Sequence, residues 1–237
     1  HCDRRGDIWF SASKGLYCYH KNQKQFDYFE YDNGSQNSQR IFYIRRNGII
    51  DDPQKNALWL TTDKGLVYLD LTTKSFTSYV NNPQQLPLFN ERFTSAITRF
   101  GNQELIFGSN DNELTIFDTK SLTISKTIKL VSRRTPKVDK VSTIFVDSDK
   151  NIWVSTWAYT LFYIDGKTGL VQEFSHDLKN PTSVIGNFFW GAFQDANQTV
   201  LLGTVNGISY VNPKRDVYKI HSLTQQIPSL LQGDWIS

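Results

Sequence analysis

The sequence predicts an all-β fold, a β-propeller of four-stranded blades with about five blades in this chain, and three observations carry that prediction. The same phrase returns five times: DIWFSASKGLYCYHKNQKQFDYF from Asp7, ALWLTTDKGLVYLDLTTKSFTSY from Ala57, ELIFGSNDNELTIFDTKSLTISKT from Glu104, NIWVSTWAYTLFYIDGKTGLVQEF from Asn151 and TVLLGTVNGISYVNPKRDVYKIH from Thr199. Its key apolar position falls at Trp9, Trp59, Ile106, Trp153 and Leu201, at steps of 50, 47, 47 and 48 residues. Helical periodicity is weak throughout. A strand-built repeat of this length reads as a propeller blade.

Each unit then justifies its strands in order. An apolar triple such as Ile8-Trp9-Phe10 or Ile152-Trp153-Val154 is followed by two small residues, a short polar turn and a second apolar run such as Leu66-Val67-Tyr68-Leu69, which makes a hairpin. A third strand is signalled at Phe26 to Phe29, Phe76 to Tyr79 and Val171 to Phe174. A leading strand precedes the Trp strand at Ile41 to Asp51, Ser95 to Phe100, Val141 to Asp147 and Phe188 to Asp195. The strands are apolar on consecutive residues because neighbouring blades are expected to cover both faces.

The chain has 14% aromatic and 39% hydrophobic residues and no apolar stretch that approaches a membrane span. Five blades that bury their faces against neighbours are expected to form a single domain or fragment over residues 1–237, with blade motifs near 7–29, 57–79, 104–127, 151–174 and 199–221. The ends are less regular. Only His1 to Arg5 precede the Gly6-Asp7 turn, Trp235 looks like the start of a further unit, and the chain holds no Met, so it reads as a portion of a longer polypeptide and of a larger, seven-bladed propeller. The formal net charge of +3 is too mild to argue for nucleic acid. Cys2 and Cys18 sit in no Cys-x-x-Cys pair, so they read as small buried hydrophobes or as a disulfide, and no metal site is expected.

The phrase Ile-Trp-x-Ser/Gly-Thr, a short turn, Gly-Leu-x-x-Tyr, then Phe-x-x-Tyr followed by Asn-Asn-Pro or Asp-Leu-Lys-Asn-Pro resembles the two-component regulator propeller repeat, from about Gly6 to His221. The resemblance implies the periplasmic sensor region of a hybrid histidine kinase, an inner-membrane protein whose membrane span and kinase core lie outside this sequence. It further implies detection of oligosaccharides, or of a protein that carries a glycan, control of glycan-utilisation genes, and a homodimer formed through the parent protein. No cofactor, no direct nucleic-acid contact and no membrane contact of this segment itself are implied. None of the family's kinase motifs occurs here, so no catalytic residue is carried over and the segment is not expected to be an enzyme.

Departures from the repeat point to a site. By strand order, the turn between the second and third strands shares a face with the long connection between blades, where ligand contacts concentrate. That turn ends in Gly15, Gly65 and Gly207 in three units. In the third and fourth, Glu113 and Thr160 replace the Gly, and the turns gain Asn110-Asp111-Asn112 and Trp157-Ala158-Tyr159. Trp157 and Tyr159 are a candidate sugar platform, since a pyranose lays its apolar face on an aromatic ring, and Asn110, Asp111 and Asn206 are candidate polar partners. The bland alternative has Trp157 capping the blade core, and Phe189 and Trp190 read as packing. Lys129, Arg133, Arg134, Lys137 and Lys140, in the connection before the fourth unit, would suit a sulfated or uronic glycan through Arg forks, or are a solvated loop. Arg92, in the connection of residues 81–93, is a further candidate.

Asp147-Ser148-Asp149-Lys150-Asn151 opens like a calcium loop but has Ile152 and Ala158 where such a loop needs Gly and Glu, so it reads as an Asp-rich turn. His1, His20, His176 and His221 are scattered, and no nucleophile elbow or phosphate loop is present. Two other classes stay open. One is a propeller enzyme, a glycosidase or a lyase, since related repeats resemble those of a propeller lyase acting on an antibiotic; the other is a protein-interaction scaffold.

Overall fold

A computed structural model describes residues 1–12, 15–29, 43–133, 140–180, 183–211 and 221–222. Five antiparallel sheets follow one another along the chain, each with its strands in sequence order. They are β1 (Ile8–Ala12), β2 (Gly15–His20) and β3 (Gln25–Phe29); β4 (Ile44–Asp51), β5 (Ala57–Thr62), β6 (Gly65–Asp70) and β7 (Ser75–Thr77); β8 (Thr94–Arg99), β9 (Glu104–Ser109), β10 (Glu113–Asp118) and β11 (Thr123–Lys129). The last two are β12 (Val141–Val146), β13 (Ile152–Thr156), β14 (Leu161–Ile164) and β15 (Val171–Phe174), then β16 (Phe189–Gln194), β17 (Val200–Thr204), β18 (Gly207–Val211) and β19 (His221–Ser222). The described residues contain no helix, hence none long and apolar enough to cross a membrane. The chain divides into two compact units, His1–Ile128 and Lys129–Ser237.

Every hairpin lies where the apolar runs put it. In the first sheet a single antiparallel bridge joins Cys2 to Ile8. Burial then explains the unbroken apolar triples. In the first unit, Trp9, Leu16 and Phe29 of one sheet pack with Leu58, Leu60, Val67 and Leu69 of the next. The opposite face of that second sheet offers Trp59 and Leu66 to Leu105, Phe107 and Phe117 of the third. Leu58, Trp59 and Leu60 are thus all fully buried although successive side chains point to opposite faces. Fully burying one such side chain contributes about 1.5–3 kcal/mol. In the second unit, Trp153, Leu161 and Tyr163 meet Phe189, Val200, Leu202 and Val211 in the same layered way.

In the first sheet Phe10, Phe26 and Tyr28 are exposed, with Phe10 stacked on Tyr17 at 5.5 Å and Tyr17 against Tyr28 at 4.8 Å.

One local device recurs. The carboxylate of Asp3, Asp52 or Asp147, in the turn before each Trp strand, accepts the indole N–H of Trp9, Trp59 or Trp153 at 3.0, 2.9 and 3.4 Å. The same carboxylates take turn N–H groups. In the calcium-like turn, Asp147 Oδ1 accepts from Asp149 and Asn151, and Oδ2 accepts from the Asn151 amide at 2.9 Å. The Asp therefore closes the turn, as expected of an Asp-rich turn, and it also holds the Trp indole, which the sequence did not show. Where Ile106 replaces the Trp, Phe100 replaces the Asp. The donor and its acceptor are lost together.

Candidate functional site

The second and third strands of each sheet are joined next to the connection that leads into a leading strand, as strand order requires. Lys64 in the β5–β6 turn pairs with Glu91 at 2.8 Å, and Thr62 exchanges backbone and hydroxyl hydrogen bonds with Thr94. In the second unit Trp157 N–H donates to the carbonyl of Lys140 at 3.0 Å, and the Asn206 amide donates to the Ile185 carbonyl at 3.3 Å. Lys140, at the end of the basic connection, and the Trp157 turn thus lie side by side.

Turn chemistry decides what these loops present. Gly65 and Gly207 adopt φ of +135° and +129°, and a Cβ on Gly65 would come within 2.6 Å of the Asn90 carbonyl. In the two longer turns that conformational demand passes to Asn112 (φ 51°) and Tyr159 (φ 58°). Thr156 and Thr160 close the β13–β14 loop through Thr156 N–H to Thr160 C=O at 3.0 Å, and Tyr159 N–H returns to Thr156 C=O at 3.0 Å. A three-residue hairpin ending in a left-handed residue normally has Gly there. Here a Tyr holds the position.

The Tyr and Trp of that loop belong to an aromatic cluster. Phe188, buried, is its hub: Trp157 lies 5.3 Å away, Tyr159 5.7 Å and Trp190 4.6 Å, with Trp157 edge-on to Trp190 at 6.0 Å. Trp157 is 45% and Tyr159 62% exposed, so both rings rest on the hub while showing a face to solvent. Capping and display are compatible here. A β-bulge aims Trp190 into the cluster: Phe189 pairs with Thr204 and Gly191 with Gly203, leaving Trp190 as the extra residue. Sequence reasoning took Trp190 for packing. Phe189 is 1% exposed and Trp190 packs on Phe188 and Trp157, but the sequence does not show the bulge, whose one signal is the aromatic run Phe188-Phe189-Trp190 broken by Gly191.

The remaining candidates divide. Arg92 is committed within the first unit: Nη1 lies 3.3 Å from Glu113, Nη2 donates to Thr115 at 3.1 Å, and the guanidinium stands 5.0 Å from the Phe107 centroid. Glu113, the residue that replaces the turn Gly, is its partner, so Arg92 is engaged with β10. Asp111 is exposed and Asn110 partly so, beside the Ser109 hydroxyl, and Asn206 is exposed with its amide engaged. Arg133 donates its backbone N–H to Glu173, as Ser132 does its hydroxyl, which leaves the Arg133 side chain at the rim of a groove of 860 Å³ with Lys129, Val131 and Leu170. Arg134 and Lys137 lie outside the described residues. Cys2 is free and exposed, and Cys18 is free and fully buried, so only the latter matches its expected place. Burial, then the charges of Asp7 and Asp3, push the Cys18 thiol up to about 11, so without a bound cation it stays a thiol at neutral pH. Sequence reading also failed to bring Cys18 together with Asp7 and His20, three groups whose ligand atoms lie within 4.8 Å of one another.

Residues 136–158, from the basic connection through β12 and β13 to the Trp157 turn, match the family model of the two component regulator propeller. This stretch is similar to a two-component regulator propeller repeat. No curated protein matches the sequence. Among solved structures, the extracellular domain assigned to the hybrid two component system BT3049 of B. thetaiotaomicron superposes with a TM-score of 0.65 at 20% identity, over 91% of this chain and 27% of that one. The corresponding domain of BT4673 from the same organism gives 0.63 and 21%, over 86% of this chain and 25% of that one. The chain thus spans about a quarter of those domains. An inactive H270A variant of virginiamycin B lyase from Staphylococcus aureus, with quinupristin, gives 0.64 and 16%, over 94% of this chain and 67% of that one. These likenesses are of fold, and they place the repeat in an all-β, propeller-type architecture.

Proposed function

We propose that the chain is part of the extracytoplasmic, ligand-sensing region of a hybrid two-component histidine kinase, and that it recognises an oligosaccharide on the connection face of its second unit. The two-component regulator propeller repeat and the fold shared with two extracellular domains of such systems support the sensor role and its placement outside the cytoplasm, in the periplasm. One observation carries the ligand class. Trp157 and Tyr159 expose ring faces while resting on Phe188 and Trp190, a preformed apolar platform of the kind a pyranose stacks on. Lys140 and the Arg133 rim bring positive charge to the same connection, which suits an acidic or sulfated glycan. Binding would favour one packing of the sensor over another, and through the parent protein's dimer would bias the kinase and the glycan-utilisation genes it controls.

Thermal unfolding of the chain across neutral, uronic and sulfated oligosaccharides tests this reading. A ligand at about 100 times its dissociation constant stabilises the folded state by about 2.7 kcal/mol. The expected result is a shift with one glycan class that Trp157→Ala removes. Absence of a shift with every glycan, together with capture of a partner protein, would overturn it in favour of an interaction scaffold. The fold shared with a lyase keeps an enzymatic reading in view, and turnover of any member of the panel would establish that instead.

A further inference from the structure

The first sheet breaks the repeat at three positions at once. Two residues before its Trp, where the other units have Ala57, Glu104, Asn151 and Thr199, it has Asp7. Opposite the Trp, Trp59 faces Tyr68, Trp153 faces Tyr163 and Leu201 faces Tyr210, but Trp9 faces Cys18. At the start of the next turn, where Asp70, Asp118 and Asp165 accept the turn's N–H groups, it has His20. Cys18 and His20 are two apart on one strand, hence on one face. The shorter Cys leaves room where a Tyr ring lies elsewhere.

The three substitutions meet. His20 Nδ1 lies 2.8 Å from Asp7 Oδ2 and 3.8 Å from Cys18 Sγ, and all three ligand atoms fall within 4.8 Å of one another. Tetrahedral zinc, with bonds of about 2.0–2.3 Å to N, O and S, sets its ligands about 3.5 Å apart, so small side-chain movements would close the set. The other ring nitrogen, Nε2, is 3.5 Å from Asp27, a carboxylate placed to hold the imidazole with its Nδ1 lone pair toward the cluster. We propose that Asp7, Cys18 and His20 form a binding site for a divalent transition metal, with zinc the best match to a mixed S, N, O set.

The ion would staple the start of β1 to the end of β2. Three protein ligands leave a fourth position for water, on the side where Asp7 and His20 are partly exposed. The nearest competing cation is Arg5, whose Nε stands 3.9 Å from Asp7 while its fork holds Asp3.

The test uses the tag-free chain, stripped with a chelator and titrated with cobalt(II) and then zinc. One equivalent of cobalt should produce a thiolate-to-cobalt charge-transfer band that zinc abolishes, and zinc should raise the unfolding temperature. Cys18→Ser should remove the band and Cys2→Ser should keep it. His20→Ala, at a partly exposed position that leaves the core intact, should weaken metal binding at least tenfold, whereas Arg5→Gln should strengthen it. A missing band at stoichiometric cobalt, one that survives Cys18→Ser, or unweakened binding in His20→Ala would overturn the site and leave His20 as a hydrogen-bonded bridge between Asp7 and Asp27.

Discussion

Tyr159 shows best how a single residue ties conformation to the proposed function. A side chain other than Gly in the left-handed region costs roughly 1–2 kcal/mol, and Tyr lacks the short polar side chain that lets Asn tolerate it. The neighbouring hairpins meet the same demand with Gly65 and Gly207. The strained Tyr returns a ring contact with Phe188, worth about 0.5–1.5 kcal/mol, and an exposed aromatic face. Tyr159→Asn should therefore leave stability within about 1 kcal/mol of the parent, strain relief offsetting the lost contact. The same variant should lose the glycan-induced thermal shift. Urea unfolding read beside the glycan titration separates the cases: a loss above about 2 kcal/mol with the glycan response intact would make Tyr159 a packing residue only.

At the scale of an element, the β9–β10 turn shows what already engages one candidate. Replacing the turn Gly by Glu113 adds a carboxylate, and Arg92, 21 residues earlier, supplies its partner together with a bond to Thr115 and a seat on Phe107. Arg92→Met leaves Glu113 unpaired and loses a charged hydrogen bond and a cation–π contact, a cost of about 2–3 kcal/mol. Adding Glu113→Gln should recover part of that loss, and the glycan response should be untouched; a weakened glycan response with full stability would restore Arg92 to the binding site. Strands and hairpins were legible because an apolar run and a turn are local patterns. Trp157 and Tyr159 were legible as insertions against a repeat. Three things were not: the pairing of Arg92 with Glu113, the bulge that adds Trp190, and the meeting of Asp7 with Cys18 and His20. Each depends on which atoms face one another across strands, and spacing along the chain does not encode that.

Across the whole molecule, the same turn closes the third hairpin of sheets in both units, and this repetition has a pH consequence. Asp70, Asp118 and Asp165 each accept two backbone N–H groups of the following turn, from Thr72 and Thr73, Lys120 and Ser121, and Lys167 and Thr168. Those hydrogen bonds, from Thr73, Ser121 and Thr168 above all, hold the three carboxylates below the ordinary Asp value of 3.8. A depressed folded value means that the native state binds protons less readily than the unfolded chain. The stabilisation is therefore complete above the unfolded value and disappears as pH falls through the folded ones. The triple variant Asp70→Asn, Asp118→Asn, Asp165→Asn keeps an oxygen acceptor in each turn and removes the charge. Its unfolding midpoint in urea should lie below that of the parent at pH 7, and the gap should close as pH falls from 7 to well below the ordinary Asp value of 3.8 and the parent's carboxylates become neutral. Other acids, Asp3 and Asp27 among them, titrate equally in both proteins and cancel in the comparison. A gap that is the same at both ends of that range would mean the turns depend on the shape of the side chain and not on its charge, and the acid sensitivity of the sheets would then have to reside elsewhere.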